Sequence, residues 1–147
     1  MLANPLVSII INCFNGEKFL KDAINSVFQQ TYENWEIIFF DNSSTDSSKE
    51  IACSYGDKVT YICSSELLPL GSARKEAMKH AKGEWICFLD TDDLWYPNKL
   101  NSQIAMATSD SLALIYSGID NIDIRGVSIT RYQPISRRGK LLDNLLD

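Results

Sequence analysis

The sequence has one histidine and four cysteines, and neither type is clustered. Cys13, Cys53, Cys63 and Cys87 show no CxxC or similarly tight spacing, which excludes the usual zinc patterns. With His80 as the sole imidazole and no GxSxG elbow, a serine or cysteine triad has no support. Four prolines and seven glycines leave no low-complexity tract, and no internal repeat is present. No apolar run approaches the ~20 residues that span a bilayer. Met1 to Pro5 lacks a charged region leading into an apolar one, so no signal peptide and no transmembrane segment are expected. Positive charge is also short, with 14 Lys+Arg against 19 Asp+Glu and a net charge of −5. Such a chain lacks the clustered cations that displace counterions, so nucleic acid is excluded as a partner. The one basic concentration is late, at Arg125, Arg131, Arg137, Arg138 and Lys140. No GxGxxG follows the first apolar run and no GxxxxGK[ST] occurs, which removes the dinucleotide and P-loop classes. The cysteines read as reduced, mostly buried thiols, and the expected compartment is the cytoplasm.

What is present is an alternation of short apolar runs and helical periodicities. Hydrophobic residues make up 45% of the 147, enough for a packed core. Val7 to Ile11 is a β-branched run of the kind buried on both faces of a parallel sheet. From Glu17 to Gln30, Phe19, Leu20, Ala23, Ile24, Val27 and Phe28 recur at helical spacing. Trp35 to Phe40 predicts a second strand, followed by the polar Asp41–Asp46 loop and a helix running toward Tyr55. Val59 to Cys63 predicts a third strand, and Gly71 to Ala81 a helix with Ala73, Ala77, Met78 and Ala81 on one side. Trp85 to Leu89 predicts a buried fourth strand, and Pro97 opens a helix carrying Leu100 and Ile104. A fifth strand is predicted at Leu112 to Tyr116, and a hairpin from Ile119 to Ile129 around Arg125-Gly126. This order predicts an α/β fold with an open, mostly parallel sheet and helices on both faces. Ligands of such sheets lie beyond the carboxyl ends of the strands, which directs attention to the Asn12–Glu17, Asp41–Asp46 and Asp90–Asp93 loops.

Asp90-Thr91-Asp92-Asp93 is the strongest chemical signal. Three carboxylates within four residues repel one another, and folding does not require them. Hard divalent ions such as Mg²⁺ or Mn²⁺ take oxygen ligands and bridge one or two carboxylates to phosphates. The competing reading is an acidic loop that complements the dipole of the next helix, for which one acid would suffice. Asp41-Asn42 can point into the same crevice or serve only as turn and cap. Phe14 and Asn15 suit the floor under a stacked base, and a strand-end aromatic equally suits the core. Arg74, with Lys75 beside it, suits phosphate or a solvated helix face.

Three stretches together resemble the N-terminal part of a family 2 glycosyltransferase with the GT-A fold. They are Val7–Asn15 (VSIIINCFN), Phe40–Asp46 (FDNSSTD) and Gly83–Asp93 (GEWICFLDTDD), with Gln30-Thr31-Tyr32 leading into the second strand. The resemblance covers roughly Leu6 to Leu100 and makes residues 1–147 a single donor-binding domain. It implies a nucleotide-sugar donor, most often a uridine diphosphate sugar, bound with Mg²⁺ or Mn²⁺. Phe14 would stack on the base, with Asn12 and Asn15 in the same loop and Asp41 and Asn42 facing base and ribose. Arg74 joins this nucleotide-sugar set; Asp92 would lie on the ribose or sugar side, and Asp93 would be the main metal ligand, with Asp92 and Asp90 in support. The family members it resembles invert the anomeric centre by direct displacement, with a carboxylate base activating the acceptor hydroxyl.

The departures are specific. Asn12 stands where the family commonly has Pro or Thr, Asn42 replaces a second Asp, Ser43 a Gly, and Lys75 an Asn. The acceptor-binding half and the catalytic base are expected beyond Asp147. Leu141, Leu142, Leu145 and Leu146 form a helical stripe with nothing to cover it, consistent with self-association. The expected partners are a nucleotide-sugar donor and a glycan or lipid-linked acceptor. The latter would bring the chain to the inner face of the membrane for polysaccharide synthesis at the cell envelope. Two alternatives stay open: a non-catalytic nucleotide-sugar binding module that needs a separate acceptor domain, and a nucleotidyltransferase. The second would want a Gly-rich basic loop after the first strand, where Asn12–Lys18 holds one Gly and one Lys.

Overall fold

The computed structural model describes residues 4–107 and 114–132. The chain divides into two compact units, Met1–Asp110 and Ser111–Asp147. In the first, the β-branched run forms β1 (Val7–Cys13), two residues longer than its apolar stretch because parallel pairing with β2 (Trp35–Asp41) continues through Asn12↔Phe40 and Cys13↔Asp41. β3 (Val59–Cys63) pairs with β2, and β4 (Trp85–Phe88) with the other side of β1, giving the parallel order β3-β2-β1-β4.

Strand alternation divides the core into two layers. Val7, Ile9, Ile11, Cys13, Ile37 and Phe39 pack beneath α1 (Glu17–Phe28), α2 (Ser48–Cys53) and α4 (Lys99–Met106), which contribute Leu20, Ile24, Val27, Ala52 and Leu100. On the opposite face, Ile10, Ile38 and Phe40 meet Ala73 and Ala77 of α3 (Leu70–Met78). The α/β architecture with helices on both faces is therefore the one expected, but coverage is unequal. Among the described residues of this unit, a single helix covers the second face.

That imbalance corrects the expectation of a buried fourth strand: among the described residues β4 is an edge strand, and its Ile86 and Phe88 are exposed. Phe19 and Phe28 of α1 and Met78 of α3 also remain exposed, because each lies at the rim of its helix's apolar stripe. Phe28 still meets Trp35 edge-on and packs against Tyr55. Nor are the thiols mostly buried. Cys13 is buried and Cys87 half-buried, whereas Cys53 and Cys63 are exposed, and all four are free. His80 lies exposed in the turn after α3, as expected.

The start of α4 shows how tertiary structure resets a boundary. Pro97 precedes the helix rather than opening it, and its carbonyl accepts from Thr31 N–H. Gln30, at the end of α1, donates its amide to the Ser26 and Tyr96 carbonyls and accepts from Leu100 N–H at 3.0 Å. A buried side chain 70 residues away thus satisfies a first-turn N–H of α4 and fixes the segment after the acidic loop.

In the second unit, β5 (Ile119–Ile122) and β6 (Ser128–Tyr132) form the expected antiparallel hairpin, with a bulge at Asn121/Ile122. Gly126 turns it at φ +77°, a conformation costly for residues with a Cβ, while Asp123 Oδ1 accepts from the Arg125 and Val127 N–H groups. Of the predicted fifth strand, Leu112 and Ala113 lie outside the described residues, and Leu114–Tyr116 is not strand. The leucine-rich end, 139–147, also lies outside them.

Candidate functional site

All three loops singled out by the sequence lie at the carboxyl ends of adjacent parallel strands, and hydrogen bonds knit the first two together. Asn15, at φ 53°, accepts from Thr45 N–H at 2.8 Å through its side-chain oxygen and donates its backbone N–H to Ser44 Oγ. Asp46 accepts from Glu17 N–H and Ser48 N–H, so one carboxylate caps the starts of α1 and α2 together. Glu17 reciprocates by accepting from Ser47 N–H. A Cβ at Gly16 would lie 2.9 Å from Cys13 Sγ and 3.0 Å from Thr91 Oγ1, so the first loop also closes on the acidic one.

The candidate residues differ sharply in how free they are. Asp41 is buried; its carboxylate accepts from Tyr61 O–H at 2.6 Å and Ser44 N–H at 2.8 Å. Burial and the Asp41 hydrogen bond raise the Tyr61 phenol well above its ordinary range, so Tyr61 stays a neutral donor. This support bends the chain through Ser43, which sits at φ 63° without being glycine. Asn42 is fully committed: its amide donates to Leu68 C=O at 2.8 Å and accepts from Leu68 N–H at 2.9 Å. An aspartate could not make both bonds, so the amide here pins the 64–69 segment. Nothing in the sequence pattern singles out Tyr61 or Leu68. Strand alternation sets Tyr61 beside Phe39, but only the fold identifies its carboxylate partner.

Phe14 is the opposite case, with its ring 51% exposed above the loops and available as a stacking surface. Asn12 shares the α3 side of the sheet with Ile10 and Phe40 by strand alternation. Both polar atoms of its side-chain amide are shut off from solvent, and among the described residues neither has a hydrogen-bond partner. An unsatisfied buried polar group costs about 1–3 kcal/mol. The near-isosteric Asn12→Leu variant is therefore expected to be more stable by about that amount, seen as a higher urea midpoint with unchanged slope.

Arg74 on α3 donates from Nη2 to Asp90 Oδ1 at 2.8 Å and lies over the Phe88 ring, 5.0 Å from its centre. Asp92 and Asp93 are exposed, and Asp93 N–H donates to the Asp90 carbonyl in a tight turn. Partial desolvation at the foot of the loop raises the Asp93 carboxyl above its ordinary range, and Asp90 and Asp92 raise it further, so negative field concentrates there. Among the described residues, no three His, Cys, Asp or Glu side chains gather into an all-protein metal cage. The oxygen-only set at Asp92 and Asp93 fits a hard divalent ion that takes one or two carboxylates and fills its shell with phosphate and water. The structure thus brings Asn12, Phe14, Asn15, Asp41, Arg74 and the three acids to one end of the sheet. Asn15, Asp41 and Asn42 are already engaged in holding the loops.

These features define an α/β domain with a candidate site at the carboxyl edge of its sheet. The model of the family "Glycosyl transferase family 2" matches residues 8–146. The chain belongs to that family. It is 40% identical over 139 residues to an uncharacterised glycosyltransferase of Rickettsia typhi, covering 93% of this chain and 43% of that protein. It is also 35% identical over 119 residues to the UDP-Glc:alpha-D-GlcNAc-diphosphoundecaprenol beta-1,3-glucosyltransferase WfgD of Escherichia coli, covering 80% and 47%. The chain therefore spans less than half the length of either relative. Among solved structures, TarS of S. aureus superposes with a TM-score of 0.64 at 28% identity, over 67% of this chain and 19% of that one. The mannosyltransferase PcManGT of Pyrobaculum calidifontis, in complex with GDP-Man and Mn²⁺, gives 0.69 at 19% identity, over 80% and 35%. The fold is the GT-A fold. No helix among the described residues is long and apolar enough to cross a membrane.

Proposed function

We propose that this chain forms the donor-binding part of an inverting, divalent-metal-dependent glycosyltransferase using a uridine diphosphate sugar. The observation that carries the reading is the acidic loop beside Arg74, with the exposed Phe14 at the same carboxyl end of the sheet. Phe14, half-exposed after β1, offers its face to the base. Asp92 and Asp93 would hold Mg²⁺ or Mn²⁺. Such an ion, when bound, neutralises charge developing on a diphosphate leaving group. Arg74 adds a second cation beside it. The acceptor hydroxyl would attack the anomeric carbon as its bond to the diphosphate breaks, giving its proton to a carboxylate base. A uridine diphosphate donor and a lipid-linked glycan acceptor are favoured because the WfgD relative is named for both. Such an acceptor would place the reaction at the inner face of the membrane, in cell-envelope polysaccharide synthesis.

The test is a calorimetric titration of uridine diphosphate into the chain, with Mn²⁺ and with chelator. Binding that needs Mn²⁺ and weakens in Phe14→Ala is the expected result. Absence of binding by uridine, guanosine and thymidine diphosphates alike would overturn the donor-site reading.

A further inference from the structure

Among the described residues, Arg74–Asp90 is the one ion pair that joins two different elements of the first unit, tying α3 to the acidic loop. Its guanidinium is fixed from two directions, by Asp90 Oδ1 at 2.8 Å and by the Phe88 ring beneath it. Phe88 is available for this because β4 is an edge strand whose α3-side residues are exposed. Asp90 returns to the same side of the sheet as Phe88, since Leu89 between them is buried in the opposite layer. The pairing draws one of the loop's three carboxylates toward α3, and no three-ligand cluster forms.

We propose that Arg74 acts as a latch on Asp90, holding it in an ion pair that competes with cation binding until a diphosphate takes over the guanidinium. Arg74 is then a positioning residue, and the two ligands couple. The free chain presents a weak site built on Asp92 and Asp93. An arriving diphosphate offers Arg74 a stronger, bidentate partner, and the released Asp90 adds its charge to the cation site. This inference rests on the donor-site reading above.

The experiment is a titration of Mn²⁺ alone, followed by electron paramagnetic resonance of the free ion, into wild type, Arg74→Ala, Arg74→Lys, Asp90→Ala and the Arg74→Ala/Asp90→Ala double variant. Exposed pairs are worth about 0.2–1 kcal/mol, so Arg74→Ala is expected to bind Mn²⁺ up to about fivefold more tightly than wild type. The double variant should match Asp90→Ala, because a latch acts only through its partner. Arg74→Lys should tighten binding less than Arg74→Ala, since it keeps the charge and loses the planar fork. Equal tightening by Arg74→Ala with and without Asp90 would show a simple field effect and overturn the latch. Unchanged or weaker binding in Arg74→Ala would overturn it too, and both results leave the donor site standing. Failure of every form to bind Mn²⁺ would remove the cation site itself, and the latch with it.

Discussion

Replacing Asp93 with alanine is expected to weaken Mn²⁺-dependent binding of uridine diphosphate about 100-fold or more, and to leave any residual binding in chelator unchanged. Loss of an outer-shell partner of a metal already costs about 10–100-fold in affinity, so loss of a direct ligand should cost at least as much. Without the cation, the diphosphate would also face Asp90 and Asp92 uncompensated. Misfolding would mimic this result, and the proton linkage of Asp93 separates the two. Its carboxyl is raised first by burial and then by Asp90 and Asp92, so the folded chain holds this proton more tightly than the unfolded chain does. Asp93 therefore subtracts stability as pH rises from the ordinary carboxylate range through its raised value. Asp93→Ala, lacking that penalty, should be at least as stable as wild type at neutral pH without metal. Urea unfolding across pH measures this directly, and a variant that lost both nucleotide binding and stability would point to a structural role instead.

Gly83→Ala is expected to be the most damaging of the small substitutions. A Cβ there would lie 2.5 Å from Ser8 N and 2.7 Å from Leu6 O, both backbone atoms at the start of β1. Neither can yield cheaply. Leu6 C=O accepts from Trp85 N–H, and Ser8 is wholly buried. Its hydroxyl accepts from Gly83 N–H and donates to Glu36 Oε1, which also accepts from Lys82 N–H. Pushing β4 away from β1 would break this set together. The expected loss is about 1–3 kcal/mol or more, the range for overpacked sites, against a typical domain stability of about 5–15 kcal/mol. Gly71→Ala is the matched control. Its Cβ would meet nothing within 4 Å in α3, and alanine favours helix, so stability should hold or rise by up to about 1 kcal/mol. Thermal or urea unfolding of the pair measures the contrast, and equal stability of the two variants would refute the close-packing argument.

The β4 strand shows both what a pattern carries and where it stops. Trp85 to Phe88 forms a strand, as its apolar run predicts, yet apolar content does not say whether a strand is central or at an edge. Burial of both faces needs neighbours beside the strand and elements packed over it, and among the described residues β4 pairs with β1 alone. Asn42 makes the same point for the site. Its type and place after β2 suited either a turn or a ligand contact, and the choice was made by Leu68, 26 residues away, whose N–H and C=O it satisfies together. For Asn12 the outcome is reversed. A polar residue at the end of an apolar strand looks unremarkable, and only packing reveals that its amide is enclosed without a partner among the described residues.

The sequence by itself determined the alternation of strands and helices, the location of three polar loops after β1, β2 and β4, and the acidic character of the last. Those properties follow from local periodicity and residue type, which survive without knowledge of distant neighbours. The tertiary structure alone decided which candidate groups are spent and which are free. It paired Asp41 with Tyr61, Asn42 with Leu68 and Arg74 with Asp90, and left Phe14 exposed and the Asn12 amide unsatisfied. The physical reason is that a hydrogen bond or ion pair needs its separation set to within a few tenths of an ångström between chain segments far apart in sequence. Parallel pairing of β1, β2, β3 and β4 sets those separations, and residue order does not.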